Sequence, residues 1–303
     1  MGRGRARSGA LSAVLLLTLV AAADGRGVPI REARWLAPGS LERALSAEPA
    51  ECLVEPAGAE ARRSVAIGRI AFRAPLLLGG QAARAGMSCA TCHRNGRGNP
   101  DFLFPGLSGP PGTADVTSSL MSSHRGDHVA NPVAIPDLGG PAARLKVSRD
   151  PASGALEHFI HGLVAEEFDG PEPPPEVLAG LAAYVRALRP EGCGRGTRPI
   201  TLASRLGDVE AAVALAHETG GETRRLLLAA ARSTLGAIDE RFPDSEADRK
   251  LLRQADSDLA AIRAGQADFA RWDRSWPARK ARLLADQGRS LFDPTRLRKA
   301  LRG

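Results

Sequence analysis

The chain has 303 residues, 43% of them hydrophobic, so one large domain or two small ones can bury a core. Tyr184 is the only tyrosine, which confines any tyrosyl radical or tyrosine ligand to that position. The formal charge of +7 lies partly in Arg3, Arg5 and Arg7 and is otherwise scattered through stretches such as "RWDRSWPARKARLL", so it reads as a solvated surface; nothing resembles a nucleic-acid-binding module.

Residues 1–23 have the form of a secretory signal peptide. Arg3, Arg5 and Arg7 make a basic head, an apolar run of about ten residues extends from Leu11 to Val20, and Ala21-Ala22-Ala23 is a small-residue cleavage site. The run falls short of the roughly 20 residues a spanning helix needs. The expectation is cleavage before Asp24, no transmembrane helix in the mature chain, and a periplasmic location, where the surroundings are oxidising. Residues 24–60 are a Pro/Gly/Ala-rich approach segment with Trp35 and Cys52, and residues 61–195 are dense in Gly, Pro and His.

Within that denser segment stands "SCATCH", residues 88–93. Three chemistries use a Cys-x-x-Cys pair. A zinc centre needs four ligands, but only Cys52 and Cys193 remain, each distant and alone. His124 and His128 have a suitable spacing but lie in a stretch that opens on glycines and prolines. A redox dithiol belongs at a strand-to-helix turn in a βαβ pattern, which does not surround Cys89, and it gives His93 no role. Covalent haem accounts for all three residues. Cys89 and Cys92, about one helical turn apart, add to the two vinyl groups, and His93 brings its imidazole under the iron as proximal ligand. One haem c is the expected cofactor. Arg94, Arg97 and Asn99 are expected to bind its propionates, and Gly86, Gly96 and Gly98 to let backbone pass close to the macrocycle. "RNGRGNPDFLFPGLSGPPG" reads as a loop wrapping the cofactor edge, or as an ordinary surface loop.

What the iron does depends on the position opposite His93. A methionine there closes the iron and suits an electron carrier, whereas an open position permits peroxide chemistry. Beyond Met1 and Met87, Met121 is the only methionine. It is the candidate distal ligand, with core filling as the alternative, His124 as its rival and His128 third. His158 and His161, one helical step apart, each read as structural, with one facing the haem and the other solvent as the alternative. Glu166, Glu167 or His124 are candidates for a distal acid or base, and no catalytic residue is assigned. Asp127 and Arg125 are expected to pair or to cap the loop.

"CGRGTRPI" reads as a linker, after which residues 201–303 form a helical extension. "GETRRLLLAAARSTLGAIDERF" repeats Leu228, Leu235, Ile238 and Phe242 on one face. "DSEADRKLLRQADSDLAAIRAG" starts at Ser245 with Asp248 and repeats Leu252, Ala255, Leu259 and Ile262. A third helix is predicted to open near Pro277 and stop around Gly288. Three such helices suggest an antiparallel bundle, either a structural appendix or a docking surface. Cys52 and Cys193 are left to form a disulfide around the haem-bearing segment, with two free buried thiols as the alternative.

"VAIGRIAFRAPLLLGGQAARAGMSCATCH" resembles the opening of the haem domain in bacterial di-haem cytochrome c peroxidases, and "LEHFIHGLVAEEFDGPEPPPEVLAGLAAYVRALRP" resembles that domain's closing helix. The resemblance implies a cytochrome c fold in which the first and last helices cross beside the haem. Gly68 would then admit the last helix, and Ala71 and Phe72 would pack on Leu181, Tyr184 and Leu188, with the Tyr184 hydroxyl near the rim. The family carries two haem motifs and this chain carries one, so the two-haem mechanism does not transfer. The expected fold is all-α, a cytochrome c-like haem domain followed by a helical bundle. The expected function is single-electron transfer by an exported c-type cytochrome to or from a redox partner protein, which could itself be a second haem protein. The alternatives are a peroxidase-like enzyme reducing hydrogen peroxide and a haem-bearing partner-binding module.

Overall fold

A computed structural model describes residues 27–141, 143 and 145–302. The signal-peptide reading of residues 1–23 lies outside them. The fold is all-α, with 57% helix and 5% strand. In chain order the helices are α1 (Leu41–Ser46), α2 (Ala59–Ala71), α3 (Gly80–Ala85), α4 (Cys89–Cys92), α5 (Ala155–Gly162), α6 (Pro175–Ala187), α7 (Leu202–Glu218), α8 (Gly221–Asp239), α9 (Glu246–Arg263), α10 (Ala270–Ala285) and α11 (Pro294–Arg302). Two short antiparallel ladders join β1 (Ala47–Pro49) to β4 (Thr197–Pro199) and β2 (Thr113–Ala114) to β3 (Val133–Ala134). No helix among the described residues is long and apolar enough to cross a membrane.

The first core is organised by the crossing of α2 and α6. Gly68 and Gly180 meet there so closely that a Cβ on Gly68 would lie 1.9 Å from the Gly180 carbonyl oxygen. A mid-helix glycine costs about 1 kcal/mol relative to alanine, and the contact of two helix backbones offsets that cost. Phe72, Leu181, Tyr184 and Leu188 share this core, with Phe72 edge-on to Tyr184 at 5.2 Å between centroids. The Tyr184 hydroxyl donates to Glu51 Oε1 at 2.6 Å. Burial works to raise the Glu51 carboxyl, but Arg73, Arg69 and the tyrosine hydroxyl outweigh it and hold the group below its ordinary value.

The tail builds a second core from α7 to α10, with Trp272 and Trp276 stacked at 4.5 Å. Two differences from the predicted helices have physical causes. Helix α7 was not anticipated, because its alanines blur the stripe of Leu202, Leu206, Val209 and Val213 that is buried. Helix α10 begins at Ala270, well before Pro277. Burial of Trp272 and Trp276 draws the preceding turn into the helix, while the proline stands on the exposed side. There the carbonyl that loses its partner can bond water. Helix α9 starts after Ser245 as predicted, with the Ser245 hydroxyl donating to the Asp248 carboxylate.

The supposed linker is structural. "TRP" within it forms β4 and pairs with β1, Ala47 opposite Pro199. The approach segment likewise packs on the end of the chain, where Val28, Ile30, Leu36, Leu41 and Leu45 share a third core with Leu291 and Leu297. Cys52 and Cys193 are joined as a disulfide, so the free-thiol alternative does not hold.

Candidate functional site

Residues 89–92 form a single helical turn, and its position is set by neighbours on both sides. Thr91 Oγ1 accepts from the Ser88 N–H at 3.0 Å at its entry. The Ala90 N–H donates to the Phe72 carbonyl at 3.0 Å, fixing the turn to the end of α2. Cys89 and Cys92 are free thiols, half-buried against the first core. Burial pushes both thiols up to about 12, so at neutral pH they are protonated.

His93 follows directly, its N–H donating to the Cys89 carbonyl at 2.8 Å. Its ring is tilted against Phe72 at 6.4 Å between centroids. Nδ1 lies 3.0 Å from the Pro136 carbonyl oxygen. A carbonyl only accepts, so this contact requires the proton on Nδ1 and leaves the lone pair on Nε2. Burial, only partly opposed by the Pro136 carbonyl and Asp137, lowers the imidazole to about 4 and keeps it neutral at pH 7. The orienting carbonyl is itself held. The Leu138 N–H donates to the Gly96 carbonyl at 2.9 Å. Asp137 accepts from Arg97 Nε at 2.7 Å and from the N–H groups of Gly139 and Gly140 at 3.0 and 2.7 Å. Sequence reasoning missed Pro136 and Asp137; the turn-forming run "IPDLGG" is the signal that marks them.

The residues flanking the motif are engaged elsewhere. Buried Arg94 donates to the Ala44 carbonyl at 2.7 Å and pairs with Glu32 at 3.3 Å, and Asn99 donates to the Thr91 carbonyl at 2.9 Å. Arg97 is the partner of Asp137. All three expected propionate contacts therefore have protein partners, because the approach segment and the 135–140 turn lie against this stretch. Gly96 and Gly98 do serve close approach, but of protein. A Cβ on Gly96 would meet Leu188 at 2.4 Å, and one on Gly98 the Ile135 carbonyl at 2.9 Å. Gly86 ends α3 in the left-handed region at φ +73°, with the Arg31 side chain at its back.

Met121, the candidate distal ligand, is 1% exposed and belongs to the core against which Cys89 and Cys92 pack. His124 points away. Its side chain is 62% exposed, and Nδ1 lies 3.1 Å from Asp169 Oδ1. His128 contacts Ser119 Oγ, His158 is exposed, and His161 pairs with Glu172 at 2.8 Å. Arg125 bonds Glu166 at 2.7 Å and Glu167 at 2.8 Å, not Asp127, whose carboxylate instead caps the loop by accepting from the Val129 N–H. Those two glutamates are brought within reach by the π-helical turn Leu163–Glu167 that continues α5.

Among the described residues no three His, Cys, Asp or Glu side chains gather around one point, as the protein ligands of a zinc centre would. Two free thiols and one imidazole whose Nδ1 is held by a carbonyl would instead fit a covalent haem, the thiols for its vinyl groups and Nε2 for its iron. No family model, curated protein or solved structure matches the chain.

Proposed function

We propose that this chain is an exported mono-haem c-type cytochrome that moves single electrons, related to the haem domain of the bacterial di-haem cytochrome c peroxidases. Cys89 and Cys92 would carry the haem, His93 would ligate the iron, and Met121 would take the sixth position. The observation that carries this reading is the bond between His93 Nδ1 and the Pro136 carbonyl beside two unbonded thiols. That arrangement presents Nε2 as a ligand in a fixed orientation. The Gly68–Gly180 crossing beside the motif supports a cytochrome c-like domain. The Cys52–Cys193 disulfide supports an oxidising compartment and hence export to the periplasm.

When bound, the haem supplies a one-electron iron couple. The chain's own residues set the conditions for it. Pro136, anchored through Asp137, holds the imidazole against rotation. Met121, 1% exposed in the core against which Cys89 and Cys92 pack, would offer its thioether to the haem away from bulk water.

Replacing Met121 with Ala tests this carrier reading against a peroxidase. In the wild type a low-spin spectrum with a far-red sulfur-to-iron band is expected, with no peroxide turnover. In Met121→Ala the band disappears, the iron becomes high-spin and binds cyanide, and the reduction potential falls. A wild-type protein that is already high-spin and turns over hydrogen peroxide rapidly would replace the carrier with an enzyme.

A further inference from the structure

A second site lies behind the motif turn. Ser88, Ala90 and Thr91 line a cleft of about 240 Å³, while Cys89, Cys92 and His93 do not. Its other walls come from the approach segment, the end of α2, residues 94–99, α7 and α8, and Glu32, Glu48, Asp208 and Glu240 are among its lining residues. Six arginines line it, namely Arg31, Arg69, Arg73, Arg94, Arg205 and Arg241. Five of them have a carboxylate. Arg31 pairs with Glu240 at 3.0 Å, Arg69 with Glu51 at 2.9 Å, Arg73 with Asp208 at 3.4 Å, Arg94 with Glu32 at 3.3 Å and Arg205 with Glu48 at 2.7 Å.

Arg241 is the exception. It is 5% exposed, and among the described residues it forms no ion pair. Its Nη1 and Nη2 donate to the carbonyls of Leu291 at 3.3 Å and Leu45 at 3.0 Å, and its guanidinium sits over the Phe292 ring at 4.8 Å. A buried cation normally carries a paired anion; Arg241 lines the cleft beside Glu32 and Glu240, but those carboxylates pair with Arg94 and Arg31. Burial, reinforced by Arg205 and Arg94, also depresses this guanidinium to about 10, against the pull of Glu32 and Glu240.

We infer that the cleft binds a small oxyanion, a phosphate or carboxylate group, which completes the charge of Arg241. Guanidinium groups bind both oxyanions through paired, charge-assisted hydrogen bonds. The inference does not depend on the haem reading, since none of the three motif side chains lines the cleft.

Calorimetry and thermal unfolding of the mature full-length protein test it, with inorganic phosphate, succinate and sodium chloride at matched ionic strength. A saturable one-to-one heat with phosphate or succinate is expected, and a midpoint raised by about 3 °C or more over chloride. Which of the two binds identifies the group. Arg241→Gln removes the cation; because that residue is buried, Ala237→Glu is the companion variant. Ala237 is exposed, lines the same cleft and lies one helical turn before Arg241. Ala237→Glu is expected to raise the midpoint in chloride and to abolish the dependence on oxyanion. Midpoints that follow ionic strength alone, or oxyanion binding unchanged in Ala237→Glu, would overturn the inference.

Discussion

Replacing Cys52 and Cys193 together with serine is expected to lower the unfolding free energy by about 5 kcal/mol at most. The bond spans a sequence separation of 141 residues, so its loss frees a long loop in the unfolded chain. It also lies at a junction. The Arg189 N–H donates to the Cys52 carbonyl at 2.8 Å, Leu53 bridges to Leu188, and a Cβ on Gly139 would fall 3.0 Å from Cys52 Cβ. Gly139 belongs to the turn that presents Pro136 to His93, so the disulfide reaches the motif through one loop. Guanidinium unfolding followed by circular dichroism checks the value. A loss below about 1 kcal/mol would show that Leu53 and Leu188 hold the approach segment without the bond.

Gly68→Ala is the second large effect, a loss on the order of 3 kcal/mol or more. Its new methyl would sit 1.9 Å from the Gly180 carbonyl oxygen, and only a separation of α2 from α6 can make room. That shift carries Phe72, whose carbonyl holds Ala90 and whose ring faces His93. Gly207→Ala is the matched contrast. Gly207 lies inside α7 with open space where its Cβ would stand, so the same change there is expected to stabilise by about 0.5–1 kcal/mol. Paired denaturant melts of the two variants should therefore move in opposite directions; a neutral Gly68→Ala would remove the crossing from its structural role.

What could be read in the sequence was what local pattern encodes. The motif at 88–93 and the repeats of α8 and α9 are visible as spacing, and the packing of Phe72 on Tyr184 followed from resemblance. What escaped was non-local. Nothing in Val28 or Ile30 announces Leu291 and Leu297 as partners, because no period connects the two ends of a chain. The pairing of "TRP" with β1 escaped for the same reason, a glycine- and proline-rich run being indistinguishable from a linker until its partner strand is known. Arg94 and Arg97 show the limit at the site itself. A basic residue beside the motif is equally suited to a propionate and to Glu32 or Asp137, and only the folded chain brings those carboxylates alongside. The same holds for His124, whose bond to Asp169 crosses 45 residues. Pro136 is 43 residues from His93, too far for spacing alone to link them.

The intact mass of the full-length protein, expressed with a c-type maturation system and read beside its pyridine haemochrome spectrum, tests the central claim most directly. One haem mass above the processed polypeptide, retained after denaturation and lost in Cys89→Ala/Cys92→Ala, is the expected result. A protein that weighs only what its polypeptide weighs, with no haemochrome signal, would contradict covalent haem at Cys89 and Cys92.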